Sequence, residues 1–204
     1  GLVYLADGPF GQLFALRGSK LFVCNLNIPT AKWEAVETKA GTSVVKLSKI
    51  APICLEKVDL GNGTLAEGLV GVSTDNKLYG IKLSGAPLQG TCTKLLDDIA
   101  TTVVPAAVRR KDSRLVAVAV DTRIPPHLVA FRSDPGTFGS DAADDVTLDL
   151  LPVIGGSLDV NFNATALTVV VSLGDAPGPT ALASWVPFAP TGLDELFKVQ
   201  IPAP

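Results

Sequence analysis

Residues 12–26 read QLFALRGSKLFVCNL and place two apolar runs on either side of a three-residue turn. Leu, Phe and Val suit the pleated, half-buried surface of a β-strand. The turn Arg17-Gly18-Ser19 supplies the glycine that a tight hairpin requires. The stretch therefore predicts an antiparallel β-hairpin, and the rest of the chain follows the same pattern.

Short apolar runs separated by turn residues recur from end to end. In residues 77–83, Tyr79, Ile81 and Leu83 share one face of an extended chain. About twelve such runs are typical strands, at 2–6, 12–16, 20–26, 44–50, 68–73, 77–83, 114–120, 127–132, 146–150, 166–173, 181–188 and 196–201. Helical periodicity is confined to short turns at 30–37, 93–100 and 192–197. The spacing predicts an all-β fold, an antiparallel β-sandwich or barrel with long loops and few helical turns.

The chain gives no clear internal boundary. Residues 133–145 are polar and rich in Gly and Asp, and we interpret them as a long exposed loop within one domain covering 1–204. The strand-like start at Gly1 predicts a domain excised from a longer protein. The units Leu13-Phe14-Ala15 and Leu78-Tyr79-Gly80 suggest propeller blades as a second architecture, but their spacing of about 65 residues exceeds the usual blade period.

Composition excludes several classes of protein. Hydrophobic residues make up 47% of the 204 residues and charged residues 18%, which is too apolar for a disordered chain. Every apolar run is interrupted before it could cross a bilayer, so we expect no membrane insertion. Residues 133–204 carry nine acidic residues against one base, Lys198. The basic cluster Arg109, Arg110, Lys111 and Arg114 is interpreted as a solvated turn, and we expect no nucleic-acid partner.

Few side chains are available for catalysis. His127 is the single histidine and opens a predicted strand, a position more typical of a structural or surface residue than of the base in a Ser–His or Cys–His pair. Asp141, Asp144 and Asp145 lie in the predicted loop and are interpreted as solvated acids. We therefore expect no catalytic residues, no metal and no cofactor. A hydrolase that uses Asp141 and Asp145 as paired carboxylates remains one alternative.

The cysteines carry no metal or redox signature. Cys24, Cys54 and Cys92 are odd in number and widely spaced, and their disulfide state is left open. Asn62 and Asn163 lie in glycosylation sequons, whose use the sequence does not decide.

Exclusion of catalysis favours a binding role, and Trp33 is the best aromatic candidate because it lies between Lys32 and Glu34 in a polar stretch. The segments Trp33-Glu34-Ala35 and Thr38-Lys39-Ala40-Gly41 resemble part of the protruding capsid domain of hepeviruses. The related capsid spikes of astroviruses, avian ones in particular, are β-rich domains of about this size. Trp33, Glu34 and Lys39 are accordingly the candidate ligand-binding residues.

The resemblance implies a non-enzymatic attachment domain on the virion surface. Such a spike forms a homodimer and engages a host receptor or a glycan. The alternative within the binding class is a cellular or extracellular carbohydrate-binding β module of the lectin or propeller type.

Overall fold

The computed structural model describes residues 2–5, 11–55, 66–109, 113–123, 127–138, 140–147, 158–162, 167–173, 181–185 and 197–200. Within these residues the fold is all-β and contains no helix, which confirms the predicted class. The strands are β1 Leu2–Leu5, β2 Gln12–Arg17, β3 Lys20–Asn25, β4 Trp33–Ala40, β5 Ser43–Val44, β6 Leu47–Leu55, β7 Ala66–Ser73, β8 Leu78–Ser84, β9 Gln89–Leu96, β10 Ala106–Arg109, β11 Leu115–Val120, β12 His127–Ser133, β13 Ser140–Thr147, β14 Leu158–Phe162, β15 Leu167–Leu173, β16 Ala181–Trp185 and β17 Phe197–Gln200.

The strands are organised as four antiparallel meanders of four strands each. The first meander is β1–β4, the second β6–β9, the third β10–β13 and the fourth β14–β17; the short β5 pairs with β4. Two parallel pairings, β4 with β9 and β6 with β10, join the first three meanders into one open 13-stranded sheet. The expectation of purely antiparallel pairing is therefore wrong.

The predicted hairpin at 12–26 is confirmed. Arg17 pairs with Lys20, and the turn between them uses Gly18 at φ +60°, a conformation that L side chains rarely adopt. The turn between β7 and β8 uses Asn76 at φ +62°, and its side-chain amide donates a 2.9 Å hydrogen bond to the Ile99 carbonyl. Asparagine tolerates this region of φ better than most residues.

The first apolar core lies between the first and second meanders. Phe14 and Leu21 from the first meander are fully buried together with Leu47, Leu69 and Ile81 from the second. Alternation along the strands explains this, because Phe14 and Val23 are directly opposed in the register of β2 and β3 and point to the same face. The first two meanders therefore pack face to face.

The second core lies on the other side of the second meander. Val70, Val72 and Leu78 turn away from the first core and pack with Leu115 and Phe131 of the third meander. The second meander is thus apolar on both faces. The first strands of successive meanders are also neighbours: Cα atoms of β6 lie within 8 Å of those of β1 and of β10, and β10 is equally close to β14.

Three local predictions are corrected. The helical turn expected at 30–37 is wrong, since Trp33–Ala40 forms β4; residues 89–96 form β9 where a helical turn was expected from 93. The loop expected at 133–145 is wrong from Ser140 onward, where β13 pairs with β12. The third helical expectation, at 192–197, falls outside the described residues except for Phe197, which begins β17.

Candidate functional site

The first core changes from apolar to polar at one end of the first meander. On β2, the inward face runs from Phe14 to Gln12, and on β3 it runs from Val23 to Asn25. On β4 the same face continues from Val36 to Glu34. Gln12 is directly opposite Asn25 in the sheet. Three neighbouring strands therefore bring amide and carboxylate groups to one end of an otherwise apolar interface.

Two loops extend above this polar end. The loop between β3 and β4 begins at Asn25, whose side-chain oxygen accepts a 3.0 Å hydrogen bond from the Asn27 backbone N–H. Its course is fixed further by a 3.0 Å hydrogen bond from the Leu26 N–H to the Gly11 carbonyl. The loop between β8 and β9 belongs to the second meander and turns at Gly85, which has φ +91°.

Together these elements line a half-open cavity of about 440 Å³, called here the inter-meander cavity. Its volume falls in the range of small-molecule sites. The lining residues come from β2, β3, β4 and the two loops: Gln12, Val23, Asn25, Ile28, Thr30, Ala31, Lys32, Glu34, Gly85, Ala86, Pro87 and Leu88.

The lining combines apolar patches with hydrogen-bonding groups of several kinds. Amides (Gln12, Asn25) both donate and accept, Glu34 accepts, and Lys32 donates. Pro87 and Leu88 add apolar surface on the opposite wall. This mixture suits a neutral ligand that has many hydroxyl groups and also apolar C–H faces.

The structure separates the three predicted ligand-binding residues. Glu34 lines the inter-meander cavity. Trp33 is half exposed on the opposite face of β4, and Lys39 is on that face too but six residues further along, roughly 20 Å at about 3.3 Å per residue. Lys39 Nζ forms an ion pair of 2.8 Å with Glu37 Oε2. The three residues do not form one cluster.

Sequence reasoning missed Gln12 and Asn25, as well as the wall at Gly85–Leu88 that the second meander contributes. A signal for the first two was present. Once the hairpin register is set, each strand has an amide two positions from a buried apolar residue and on the same face: Gln12 precedes Phe14, and Asn25 follows Val23. The wall at Gly85–Leu88 forms only because the second meander packs against the first. No local sequence pattern predicts which meander packs there.

Two of the three thiols are buried, and the third, Cys54, is partly exposed. Cys24 and Cys92 are buried, and no disulfide joins the three cysteines, all of which lie in the described part of the chain. Burial raises the pKa of the Cys92 thiol to about 11, partly offset by a hydrogen bond from the Lys39 backbone. A thiol of this kind is almost entirely protonated at neutral pH and is a poor nucleophile.

The basic cluster is not a solvated turn throughout. Arg109 is buried, and its guanidinium donates to the carbonyls of Ser113 at 3.0 Å and Thr137 at 3.2 Å. Its Cζ lies 5.5 Å from the centre of the Phe138 ring. The interpretation as a solvated turn is wrong for Arg109, because its side chain forms hydrogen bonds that connect β10 to the turns at Ser113 and Thr137. Arg110 and Lys111 lie outside the described residues.

The other predicted features add little to the site. His127 begins β12, and Asp144 and Asp145 are in β13, opposite Ala130 and Val129. The sequons at Asn62 and Asn163 lie outside the described residues. Among the side chains that the structure describes, no three His, Cys, Asp or Glu residues group closely enough to hold a metal ion.

No protein-family model matches the chain, and no curated protein sequence is significantly similar to it. Within the described ranges, no helix is long and apolar enough to cross a membrane.

Proposed function

We propose that this protein is a non-enzymatic binding module that holds a glycan in the inter-meander cavity. The observation that carries the proposal is the convergence of Gln12, Asn25 and Glu34 at the polar end of the first core, with Pro87 and Leu88 opposite. Sugars present hydroxyl groups at their edges and C–H groups on their faces. Amide and carboxylate side chains match the edges, and the apolar wall matches a face.

The arrangement of the meanders supports the propeller type of β module over a sandwich or barrel. Four successive four-stranded meanders, the first three stacked through apolar faces, are what radial blades require. The neighbouring first strands β1, β6, β10 and β14 correspond to the innermost strands of such blades. In this architecture the inter-meander cavity is a cleft between two blades.

The capsid-spike interpretation makes the same claim about binding and differs in biological context. It depends on the sequence of Trp33–Ala40 and the following glycine, which form β4 and its turn. It predicts that a basic shell domain of the jelly-roll type precedes residue 1 in the full-length protein. Sequencing the full-length coding region tests this prediction directly.

A carboxylate-dependent hydrolase is less favoured. Asp141 and Asp145 are four residues apart within β13, a separation of roughly 13 Å along an extended strand. Paired carboxylates of glycoside hydrolases lie about 5 to 9.5 Å apart. The strand geometry therefore works against joint action of these two acids on one bond.

A glycan array followed by calorimetry tests the binding proposal. The array identifies a ligand, and calorimetry then compares wild type with Gln12→Ala and Glu34→Ala. We expect each substitution to weaken binding about tenfold, because each removes a hydrogen-bonding group worth about 1.4 kcal/mol.

Glu37→Ala is the matched control. Glu37 is an exposed acid on the same strand as Glu34, but it points to the opposite face. Its removal should leave affinity unchanged. An array without hits, or equal losses for Glu34→Ala and Glu37→Ala, would contradict the proposal.

A further inference from the structure

A second cavity lies at the other end of the interface between the first two meanders. The turn between β4 and β5 and the turn between β7 and β8 approach each other there, and the Thr74 N–H donates a 2.9 Å hydrogen bond to the Lys46 carbonyl. The cavity has a volume of about 530 Å³, within the range of small-molecule sites. Its lining residues are Ala40, Ser43, Val44, Val45, Lys46, Thr74, Asp75, Lys77 and Tyr79. We call it the turn cavity.

Tyr79 reaches the turn cavity from the first core. The residue is only 8% exposed, and its hydroxyl has no hydrogen-bond partner among the residues that the structure describes. Burial raises the pKa of Tyr79, and the negative charge of Asp75 raises it further, so the phenol acts within range of the β7–β8 turn. A buried polar group without a partner is costly. The position therefore calls for a polar group supplied from the cavity.

The charges that line the turn cavity sum to one positive charge. Lys77 and Asp75 compensate each other, because Lys77 Nζ lies 2.5 Å from Asp75 Oδ2. Lys46 is exposed and forms no ion pair with any residue in the described part of the chain. The cavity therefore favours a ligand with a single negative charge.

We propose that the turn cavity binds a small carboxylic acid that also carries several hydroxyl groups. The ligand carboxylate accepts hydrogen bonds from the Tyr79 hydroxyl and from Lys46, both of which are donors. Asp75 only accepts, so it takes a hydrogen bond from a hydroxyl of the ligand. Ser43 and Thr74 donate or accept as the ligand requires.

Other ligand chemistries fit the turn cavity less well. A phosphate dianion brings two negative charges close to Asp75 and meets a net charge of only one. A neutral polyol gains nothing from the charge of Lys46, and a plain fatty acid leaves Asp75 and the two hydroxyl side chains without partners. The site is separate from the inter-meander cavity, since the seven residues of β8 lie between them, roughly 20 Å. The inference does not depend on the proposed function.

Calorimetry with three probes of equal carbon number tests the ligand class. Gluconate carries a carboxylate and hydroxyl groups, hexanoate carries the carboxylate alone, and sorbitol carries hydroxyl groups alone. We expect gluconate to bind with a dissociation constant of about 1 mM or tighter, and each of the other two to bind about tenfold more weakly. Inorganic phosphate should also bind more weakly than gluconate. Added salt should weaken gluconate binding, because the charge of Lys46 is exposed to solvent.

Two variants test the residues. Tyr79→Phe and Lys46→Gln should each weaken gluconate binding about tenfold, because each removes a donor to the carboxylate. Lys82→Gln is the matched control: Lys82 is an exposed lysine of β8, but it lies on the face opposite Tyr79 and away from the cavity. Its substitution should leave the affinity unchanged. Without ligand, Tyr79→Phe should not lower Tm, because the hydroxyl that it removes has no partner in the free protein.

Several results would overturn the proposal. One is no gluconate binding up to about 10 mM, roughly ten times the expected constant. Another is gluconate binding no tighter than that of hexanoate, sorbitol or phosphate, or weakened equally by Lys82→Gln and Lys46→Gln. A Tyr79→Phe variant that loses Tm without ligand would show that water or the chain itself already satisfies the hydroxyl. Glu34→Ala should leave gluconate binding intact, which separates a failure here from a failure at the inter-meander cavity.

Discussion

The two faces of the first meander differ sharply although the same four strands build both. The inward face buries Phe14 and Leu21 completely against the second meander. The outward face carries apolar side chains of comparable size, among them Leu2 and Trp33, that remain largely exposed. Strand alternation decides which residues share a face, but it does not decide which face is covered. Coverage depends on the neighbour that each meander acquires.

This contrast has an energetic consequence. A buried side chain contributes through removal of its surface from water and through packing contacts, whereas an exposed one contributes neither to the monomer. Substitutions at adjacent positions of one strand should therefore have very different effects on stability. The following predictions run from the largest effect to the smallest.

Phe14→Ala should reduce the free energy of unfolding by about 3 to 5 kcal/mol, since it opens a cavity in the first core. Leu13→Ala is the matched control: Leu13 is the preceding residue of β2 and points to the opposite face of the sheet. We expect it to cost about 1 kcal/mol or less. Urea unfolding measures the free energy of unfolding of both variants. Equal costs for the two variants would show that the outer face is buried within the monomer.

Gly80→Ala probes the second core by adding volume. Gly80 faces the third meander, where an added Cβ would lie 2.8 Å from Cδ1 of Phe138. Overpacking of this kind costs about 1 to 3 kcal/mol. The double variant Gly80→Ala with Phe138→Leu should lose less stability than the sum of the two single changes, because the smaller leucine side chain leaves room for the added Cβ. Additive costs in thermal or urea unfolding would contradict the close approach of the two meanders.

The sequence was sufficient for the class of the fold and for the strands richest in Val, Leu and Phe. Each of the apolar runs at 12–16, 20–26 and 77–83 falls on a strand. The turn at Gly18 was also predicted, because its positive φ restricts which residues fit there.

The last strands of the first three meanders, β4, β9 and β13, were all missed over most of their length. β4 begins WEAVE and β13 begins SDAAD, so both carry charges that suggest a loop or a helical turn. In β4 the charges are tolerated because Glu34 lies at the polar end of the first core and Glu37 is exposed. Composition alone therefore underestimates such strands.

The candidate site was harder to predict than the fold. Glu34 was identified through its neighbourhood to Trp33, yet the two residues lie on opposite faces of β4. Pro87 and Leu88 come from a different meander and reach the cavity only through the packing of two sheets. The hairpin register could have shown Gln12 and Asn25 on one face, but the packing that brings Pro87 and Leu88 opposite them leaves no local pattern.

The smallest expected effect concerns the exposed turn between β7 and β8. A substitution there shows how little a surface change alters stability, for comparison with the two core substitutions. A 2.5 Å hydrogen bond from Lys77 Nζ holds the pKa of the Asp75 carboxyl below its usual range, with a further contribution from Ser73. A lowered folded-state pKa stabilises the protein at neutral pH, and this stabilisation is lost as the pH falls through that value. Because the pair is solvated, Asp75→Asn should lower Tm by about 1 °C or less. The difference between wild type and variant should shrink as the pH falls through the lowered pKa of Asp75 and disappear below it. Thermal unfolding across pH 2 to 7 measures this difference in Tm. A difference that persists at the lowest pH would mean that the Asp75 side chain acts through shape or neutral hydrogen bonding instead of charge.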